Sequence, residues 1–487
     1  MMRLDTLLEG AELPTTPQVV GGAASEVEIT EVTLDTRTVE AGALFCCIAG
    51  QRVDGHDLAG AAVEAGAVAV LAERTVEVPE GTAVVLVDDV RVAMGPIAAS
   101  RWGHPSRRLQ VIGVTGTNGK TTTTQLLRPV FESAGADVEV IGTLSGRPGE
   151  PPTTPDAPAL QARLAELLEG GTDVVTMEVS SHGLAMHRVD GTRFAAAAFT
   201  NLSQDHLDLH GTLEAYFAAK ARLFTSQFTD LAVVDVDDAH GRLLRDAATI
   251  RTVGYSLDDA EDLVLTPAGS TWRWRGRDLR LPIAGRFNVA NALCAATLAV
   301  ELGVEPDAIA AGLEAAPTVP GRFEPVDMGQ PFGVVVDYAH TPDGLEHVLA
   351  AARELVEPGH RVIVVVGAGG DRDAGKRPRM GEVAARLADR VVVTSDNPRS
   401  EEPGAIIDAI VGGITDRSTL IVDADRRSAI ARALSAARPG DLVVIAGKGH
   451  ETTQTVGDRV LPFDDREVAR EALLELGHAI AEDPSPC

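Results

Sequence analysis

Lysine is scarce in this sequence. Among 487 residues only four are lysine (Lys120, Lys220, Lys376 and Lys448), against 39 arginines. Positive charge as a whole is also short: 43 Lys and Arg face 71 Asp and Glu, a formal net charge of −28. That balance excludes an extended nucleic-acid or anionic-membrane surface, which needs clustered positive charge. Cysteine is limited to Cys46, Cys47, Cys294 and Cys487, with no CxxC pair. The pattern fits a reducing cytoplasm, with these thiols acting as packing groups. No apolar run is long enough to span a bilayer. The N-terminal stretch MMRLDTLLEGAELP lacks the apolar core of a signal peptide. The expectation is a cytoplasmic protein that is not inserted in a membrane. Internal repeats and low-complexity tracts are missing as well.

Apolar residues make up an ordinary 45%, and 487 residues suggest about three domains. The first hundred residues mix short β-like runs (27–34, 43–50, 67–73, 83–89) with an Ala-rich helical piece at 57–66. After a basic link at 101–110, strand and helix patterns alternate, which implies parallel strands with crossover helices. The Arg- and Trp-rich run at 271–285 alternates with period two, the pattern of added antiparallel strands with a solvated face. A Pro- and Gly-containing linker at 317–325 leads into a second alternating region.

The run 116-GTNGKTT-122 follows an apolar strand and opens a helix, the context a phosphate loop requires. Converging backbone N–H groups and the helix dipole favour phosphate there, Lys120 reaches the outer phosphates, and the Thr121 hydroxyl suits Mg²⁺. The loop is a variant, because Val114 stands where the usual pattern has glycine. By contrast, 367-GAGG-370 lacks a full GxGxxG and reads as a strand-ending turn. Glu178 closes a very apolar strand, where a carboxylate is costly without a partner. It is a candidate metal ligand, the alternative being a salt-bridged core glutamate. The loop 201–211 offers Asp205, His206, Asp208 and His210, and spacing does not choose among them.

Lys220 falls in the apolar stripe of a helix over 213–224, among Leu213, Tyr216, Phe217, Leu223 and Phe224. A buried amine is pushed toward its neutral form, which can add CO₂ to become a carbamate and hold metal. Arginine has no accessible neutral form. A lysine snorkelling to solvent fits the pattern equally well.

GTNGKTT, MEVSSHGL, FTNLSQDHLDLHG, YFAAKARLF, FNVANALCA, PGRFE, VVDYAHTPD, GAGGDRDAGKRPRMG, TSDNPRSEEP and AGKGHE together resemble the Mur ligase family, in the family's order, from about Leu34 to Glu451. The resemblance implies three α/β domains: a small N-terminal UDP-substrate domain (1–107), a central parallel-sheet ATPase (108–322) and a C-terminal Rossmann-like domain (323–487). It implies that Gly116, Thr117, Asn118, Gly119, Lys120, Thr121, Thr122, Asn288, Asn291, Arg322 and Asp337 meet ATP. Thr121 and Glu178 would hold one Mg²⁺, and His206 with a carbamylated Lys220 a second. UDP-MurNAc-dipeptide would meet Leu34, Thr36, Gln51, Arg52, Val53, Thr153, Thr154, Ser180 and Arg188. Two nearby positions depart from the family pattern, with Met186 in place of an amide and Pro152 in place of Asn.

The amino-acid site would comprise Arg372, Asp396, Asn397, Pro398, Arg399, Gly447 and Glu451. Arg399 suits a substrate with a second carboxylate, through a bidentate pair, and Glu451 suits its distal ammonium. The implied reaction joins meso-diaminopimelate to the D-glutamate of UDP-MurNAc-L-Ala-D-Glu through an acyl phosphate, on a monomeric enzyme. The alternatives are the same reaction with L-lysine or another diamino acid, another ligase of the superfamily, and a catalytically silent nucleotide-binding regulator.

Overall fold

Three separate sheets, each with its own buried core, divide the chain. The computed structural model describes residues 1–50, 53–145 and 153–478. Gln51, Arg52, Pro152 and Cys487 therefore lie outside the described residues.

The first sheet runs in the order Gln18–Val20, Ala83–Leu86, Ala67–Ala72, Ala43–Cys46, Glu31–Thr33, parallel except for Gln18–Val20. The single β-like run expected at 27–34 is two strands. Glu28–Ile29 pairs antiparallel with Met2–Arg3, whereas Glu31–Thr33 joins the five-stranded sheet.

The second sheet has six strands, all parallel: Arg251–Tyr255, Leu231–Asp235, Ala196–Phe199, Gln110–Thr115, Val174–Glu178 and Val138–Ile141. Gln110–Thr115 is central and covered on both faces, so it reads as a nearly unbroken apolar run. Helices Lys120–Ser133, Arg286–Glu301 and Pro306–Glu314 pack into one core. Helices Ala157–Glu169 and Leu213–Ala221 pack on the opposite face. The chain order reverses beside Gln110–Thr115, so the loop leaving that strand sits at the switch point where open α/β sheets bind ligands. The Arg/Trp run is an antiparallel set, Glu261–Thr266, Gly269–Trp274 and Arg277–Leu281. Trp272 and Trp274 are buried and the intervening arginines exposed, as the period-two pattern anticipates.

The third sheet runs Glu324–Pro325, Gly333–Asp337, Leu442–Ala446, Val362–Val366, Arg390–Val393, Leu420–Val422, with only the first strand antiparallel. Five loops leave the carboxyl edge of this sheet, after Asp337, Val366, Val393, Val422 and Ala446. They contain almost every third-domain residue singled out above.

Behind two of these loops lies a fully enclosed ion pair. Arg426 donates to both carboxylate oxygens of Asp465 (2.8 and 2.6 Å) and to the carbonyls of Ser395 and Ala446. Arg426 thus ties the loops after Val393 and Ala446 together. Asp465→Ala is expected to destabilise this domain by about 3–5 kcal/mol, because it strands a buried guanidinium. Faster hydrogen exchange along Leu442–Ala446 in urea is the measurement; unchanged protection would contradict the assignment.

Candidate functional site

The phosphate loop is built from backbone that only glycine adopts easily. Gly116 and Gly119 have φ of 151° and 87°. A side chain at either would also collide with Thr200 or Asn291. The segment after strand Ala196–Phe199 braces the loop: Asn118 N–H donates to Asn201 Oδ1 (2.9 Å), and Ser203 N–H donates to Thr117 Oγ1 (3.0 Å). Lys120, the first residue of the helix, folds back and donates to the carbonyls of Gly116 (3.0 Å) and Thr117 (2.8 Å).

Glu178 ends its strand beside this helix and is 2% exposed. Its carboxylate accepts from Thr121 Oγ1 (3.0 Å), Thr143 N–H (2.8 Å) and Thr143 Oγ1 (3.3 Å). Among the described residues no basic side chain bonds it. Thr143 had no distinguishing sequence signal.

Lys220 does not snorkel. It is 1% exposed, its Nζ lies 4.7 Å from the Tyr216 ring centre, and it donates to the Gly116 carbonyl at 2.7 Å. Lys120 and Lys220 therefore share one acceptor oxygen, which holds their nitrogens within about 6 Å of each other. Burial first, and then the Lys120 charge, push the Lys220 pKa well below the ordinary lysine value. The helix carrying it is α-helical over Leu213–Ala221 and tightens to a 3₁₀ turn over Arg222–Phe224. Tyr216 belongs to the same arrangement, its hydroxyl 3.2 Å from Thr117 Oγ1, although its place in the apolar stripe marked it only as core.

In the 201–211 loop, Asp205 and His206 face the cavity. His206 Nε2 lies 3.4 Å from Asp205 Oδ2. The His206 side chain is 55% exposed, and partial desolvation against the cavity wall holds its imidazole below its usual pKa, with the Lys120 and Lys220 charges acting in the same direction and Asp205 opposing them. His210 is turned away, bonded through Nε2 to Ser181 Oγ at 3.1 Å.

The linker and third domain form the opposite wall. Arg322 Nη2 donates to Thr121 Oγ1 (3.1 Å), its guanidinium lies over Tyr338 (4.5 Å), and its Nε has no acceptor among the described residues. Asp337 accepts from the N–H groups of Phe323 and Ala339, both at 2.7 Å, and burial raises its pKa. Asn118 of the phosphate loop donates to Asp343 Oδ2 at 3.0 Å, a direct tie between the two domains. The cavity, about 670 Å³, is lined by the loop residues 117–122, Thr153, Glu178, Ser180, His206, Lys220, Asn291, Arg322 and Asp337.

Other singled-out residues lie apart from this cavity. Asn288 is fully buried, donating to the Ala284 carbonyl and accepting from Asn291. Thr154, 1% exposed, donates to the Glu178 carbonyl, and Arg188 donates to the Thr154 carbonyl. Leu34 packs against the first-domain core, Thr36 is half-buried and Val53 exposed, none of them lining the cavity. In the third domain, Asn397 Nδ2 donates to Glu451 Oε2 (2.7 Å), and Arg399 Nη1 donates to the Gly370 carbonyl (2.5 Å). Asp396 and Pro398 are buried beside them, and Gly447 (φ 120°) leaves room for the Asp396 carboxylate. Arg372 is exposed. Its charge acts on His182 of the central domain.

A phosphate loop at a switch point, faced across a cavity by a linker arginine and a third α/β domain, defines a three-domain ligase framework, and the chain belongs to the Mur ligase family. Residues 28–102 match the model for the Mur ligase family catalytic domain, 114–299 the Mur ligase middle domain, and 321–449 the Mur ligase glutamate ligase domain. The particular relatives are consistent in kind. The chain is 45% identical over 465 residues to the UDP-N-acetylmuramoyl-L-alanyl-D-glutamate–2,6-diaminopimelate ligase of Syntrophomonas wolfei, covering 92% of this chain and 95% of that one. It is 44% identical over 480 residues to the protein of that name from Streptomyces avermitilis, covering 93% and 94%. A solved structure with the same name superposes with a TM-score of 0.67 at 35% identity, covering 94% and 98%. The folylpolyglutamate synthase of Mycobacterium tuberculosis shares the fold at 18% identity, with a TM-score of 0.59 and 80% and 95% coverage.

Proposed function

We propose that this chain is the ATP-dependent ligase that joins meso-diaminopimelate to the D-glutamyl γ-carboxylate of UDP-MurNAc-L-Ala-D-Glu, in cytoplasmic peptidoglycan precursor synthesis. The observation that carries the reading is one cavity that joins the phosphate loop to Thr153 and Ser180 on one side and to Arg322 and Asp337 on the other. Activation of one substrate and attack by another would meet at that seam. Residues 1–107 would hold the UDP end, 108–322 the ATP and 323–487 the amino acid.

The donor set fits magnesium. Thr121 and Glu178 offer hard oxygens 3.0 Å apart. Among the described residues no group of three His, Cys, Asp or Glu gathers for a metal. His206 and a carbamylated Lys220 would hold a second ion. Bound magnesium would supply charge neutralisation at the transferring phosphoryl group.

The protein's own groups do the rest. Lys120, now bonded to two carbonyls, is placed to turn to the phosphate oxygens, and Arg322 Nε offers an unfilled donor beside them. The γ-carboxylate attacks the γ-phosphorus of ATP, ADP leaves, and an acyl phosphate results. The amine then attacks the acyl carbon, phosphate departs and the new amide nitrogen loses a proton. The third domain over the cavity keeps water from the acyl phosphate.

Phosphate release from ATP with UDP-MurNAc-L-Ala-D-Glu, comparing meso-diaminopimelate with L-lysine, tests the reading. Turnover should require an amino acid and strongly prefer diaminopimelate. Preference for lysine would overturn the acceptor assignment, and no turnover with any amino acid would favour a silent regulator.

Gly142 gives a narrower test of Glu178. A Cβ at this position would lie 2.4 Å from Glu178 Oε1. Gly142→Ala should displace the carboxylate, lower kcat about tenfold and raise the magnesium concentration needed for half-maximal rate. An unaltered magnesium titration would remove Glu178 from the ligand set.

A further inference from the structure

The sequence singles out Lys448 without giving it a task. The residue is 0% exposed, at the start of the loop that carries Glu451. Its Nζ donates to the Thr453 carbonyl (2.6 Å), Asn397 Oδ1 (3.2 Å) and Glu451 Oε2 (3.2 Å). Three acceptors match the three N–H bonds of an ammonium, so none remains for a substrate.

The same contacts dictate how its neighbours point. Asn397 Oδ1 receives Lys448 and the Thr455 N–H (2.9 Å), which directs Nδ2 to Glu451 Oε2 at 2.7 Å. Glu451 Oε2 therefore takes two donors. Oε1, on a side chain 32% exposed, is the oxygen left open.

Resting on the reading of Asn397, Arg399 and Glu451 as amino-acid contacts, we propose that Lys448 is a positioning residue that sets specificity: it aims Asn397 and Glu451 and cancels the Glu451 charge, so that the far end of the incoming amino acid is accepted only as a zwitterion. With Lys448 in place, Arg399, Lys448 and Glu451 sum to one positive charge. A zwitterionic end satisfies that set, its carboxylate on Arg399 and its ammonium on Glu451 Oε1. A bare ammonium, as in L-lysine, meets the excess positive charge with nothing to balance it. Asp396 and the Arg426–Asp465 pair stay the same when Lys448 is replaced, so the change amounts to one full charge beside Glu451. This is discrimination by a repulsive element as well as an attractive one.

The test uses the full-length enzyme with Lys448→Met, which keeps the chain length and removes the charge. KM for meso-diaminopimelate should rise about tenfold while KM for ATP stays within about twofold, and the preference for diaminopimelate over L-lysine in kcat/KM should fall about tenfold. In a Glu451→Gln background the same replacement should change that preference by less than about twofold, because Lys448 acts through Glu451. Parallel rises in KM for both substrates, or an unmoved preference, overturn the proposal. Should Lys448→Met fail to fold by thermal melting, Lys448→Gln retains a donor for the Thr453 carbonyl and is judged by the same ratio. A wild-type enzyme indifferent to the two amino acids defeats the acceptor reading and the proposal together. A selective wild type with an unmoved ratio in the variant defeats the proposal alone.

Discussion

Lys220→Ala is expected to lose at least about a thousandfold in kcat/KM, some 4 kcal/mol of transition-state stabilisation. A short carboxylate such as formate or acetate should return part of it. The reasoning begins with burial. Lys220 is enclosed, and its nitrogen shares the Gly116 carbonyl with Lys120. Two ammonium groups this close, in a site with little water, cannot both be charged cheaply. Lys120 has two carbonyl acceptors, whereas Lys220 has one. Burial first, and then the Lys120 charge, hold the Lys220 pKa well below the ordinary value, and burial lowers that of Lys120 as well. A neutral buried amine is the form that captures CO₂, and the product would be a carboxylate where the sequence wrote a base. Lys220→Arg separates the readings, since it keeps a cation but cannot be carbamylated. An active Arg variant would make Lys220 a plain cation. Wild-type-like activity of the Ala variant would remove it from the site altogether. Labelling with ¹³C-bicarbonate adds a readout independent of turnover: a carbamate carbon resonance present in wild type and missing in Lys220→Ala.

The parts of this molecule that were legible in sequence share a cause: they are local. The phosphate loop could be read because strand, glycines and helix are contiguous, and the Arg/Trp strands because period two survives in five or six residues. The helix Val90–Arg101 was not announced by the sequence, because Gly95-Pro96 at its centre is a turn signal. Its reason is tertiary. Gly95 lies against the Asp190 carbonyl so closely that a Cβ would come within 2.1 Å, and helix Val90–Arg101 packs there on the central domain. The buried stripe around Lys220 was visible, but the choice between snorkelling and burial was not. That choice depends on Gly116, a hundred residues away, closing over the amine. The contacts of Lys448 and the Arg426–Asp465 pair were invisible for the same reason. Their partners come from loops that only the sheet order brings together. The Thr453–Val456 and Arg459–Pro462 hairpin, too short and polar to stand out, fixes Arg399 from outside its motif.

That hairpin bears on the second large effect. Arg399→Ala should lower kcat/KM for meso-diaminopimelate by about a hundredfold to a thousandfold, the loss of one partner in a shielded charged pair. L-lysine, with no second carboxylate, should lose far less, so the preference between the two collapses. The backbone is arranged for this side chain. Arg399 sits at φ 51°, a conformation that disfavours non-glycine residues, yet its N–H donates to the Thr455 carbonyl (3.0 Å) and its carbonyl accepts from Gly457 (2.7 Å). Two hydrogen bonds thus hold a strained residue in place, and the guanidinium is carried against the Gly369–Gly370 backbone. Only Nη1 is engaged there, with the Gly370 carbonyl, among the described residues. The rest of the five-donor fork is available to a carboxylate. Arg399→Lys keeps the charge but loses the bidentate geometry, and should fall between wild type and the Ala variant. Competition between the two amino acids in one reaction, read from the ratio of products, is the direct measurement. An Arg399→Ala enzyme that still chooses diaminopimelate as sharply as wild type would place the second carboxylate elsewhere, with Arg372 the next guanidinium to test.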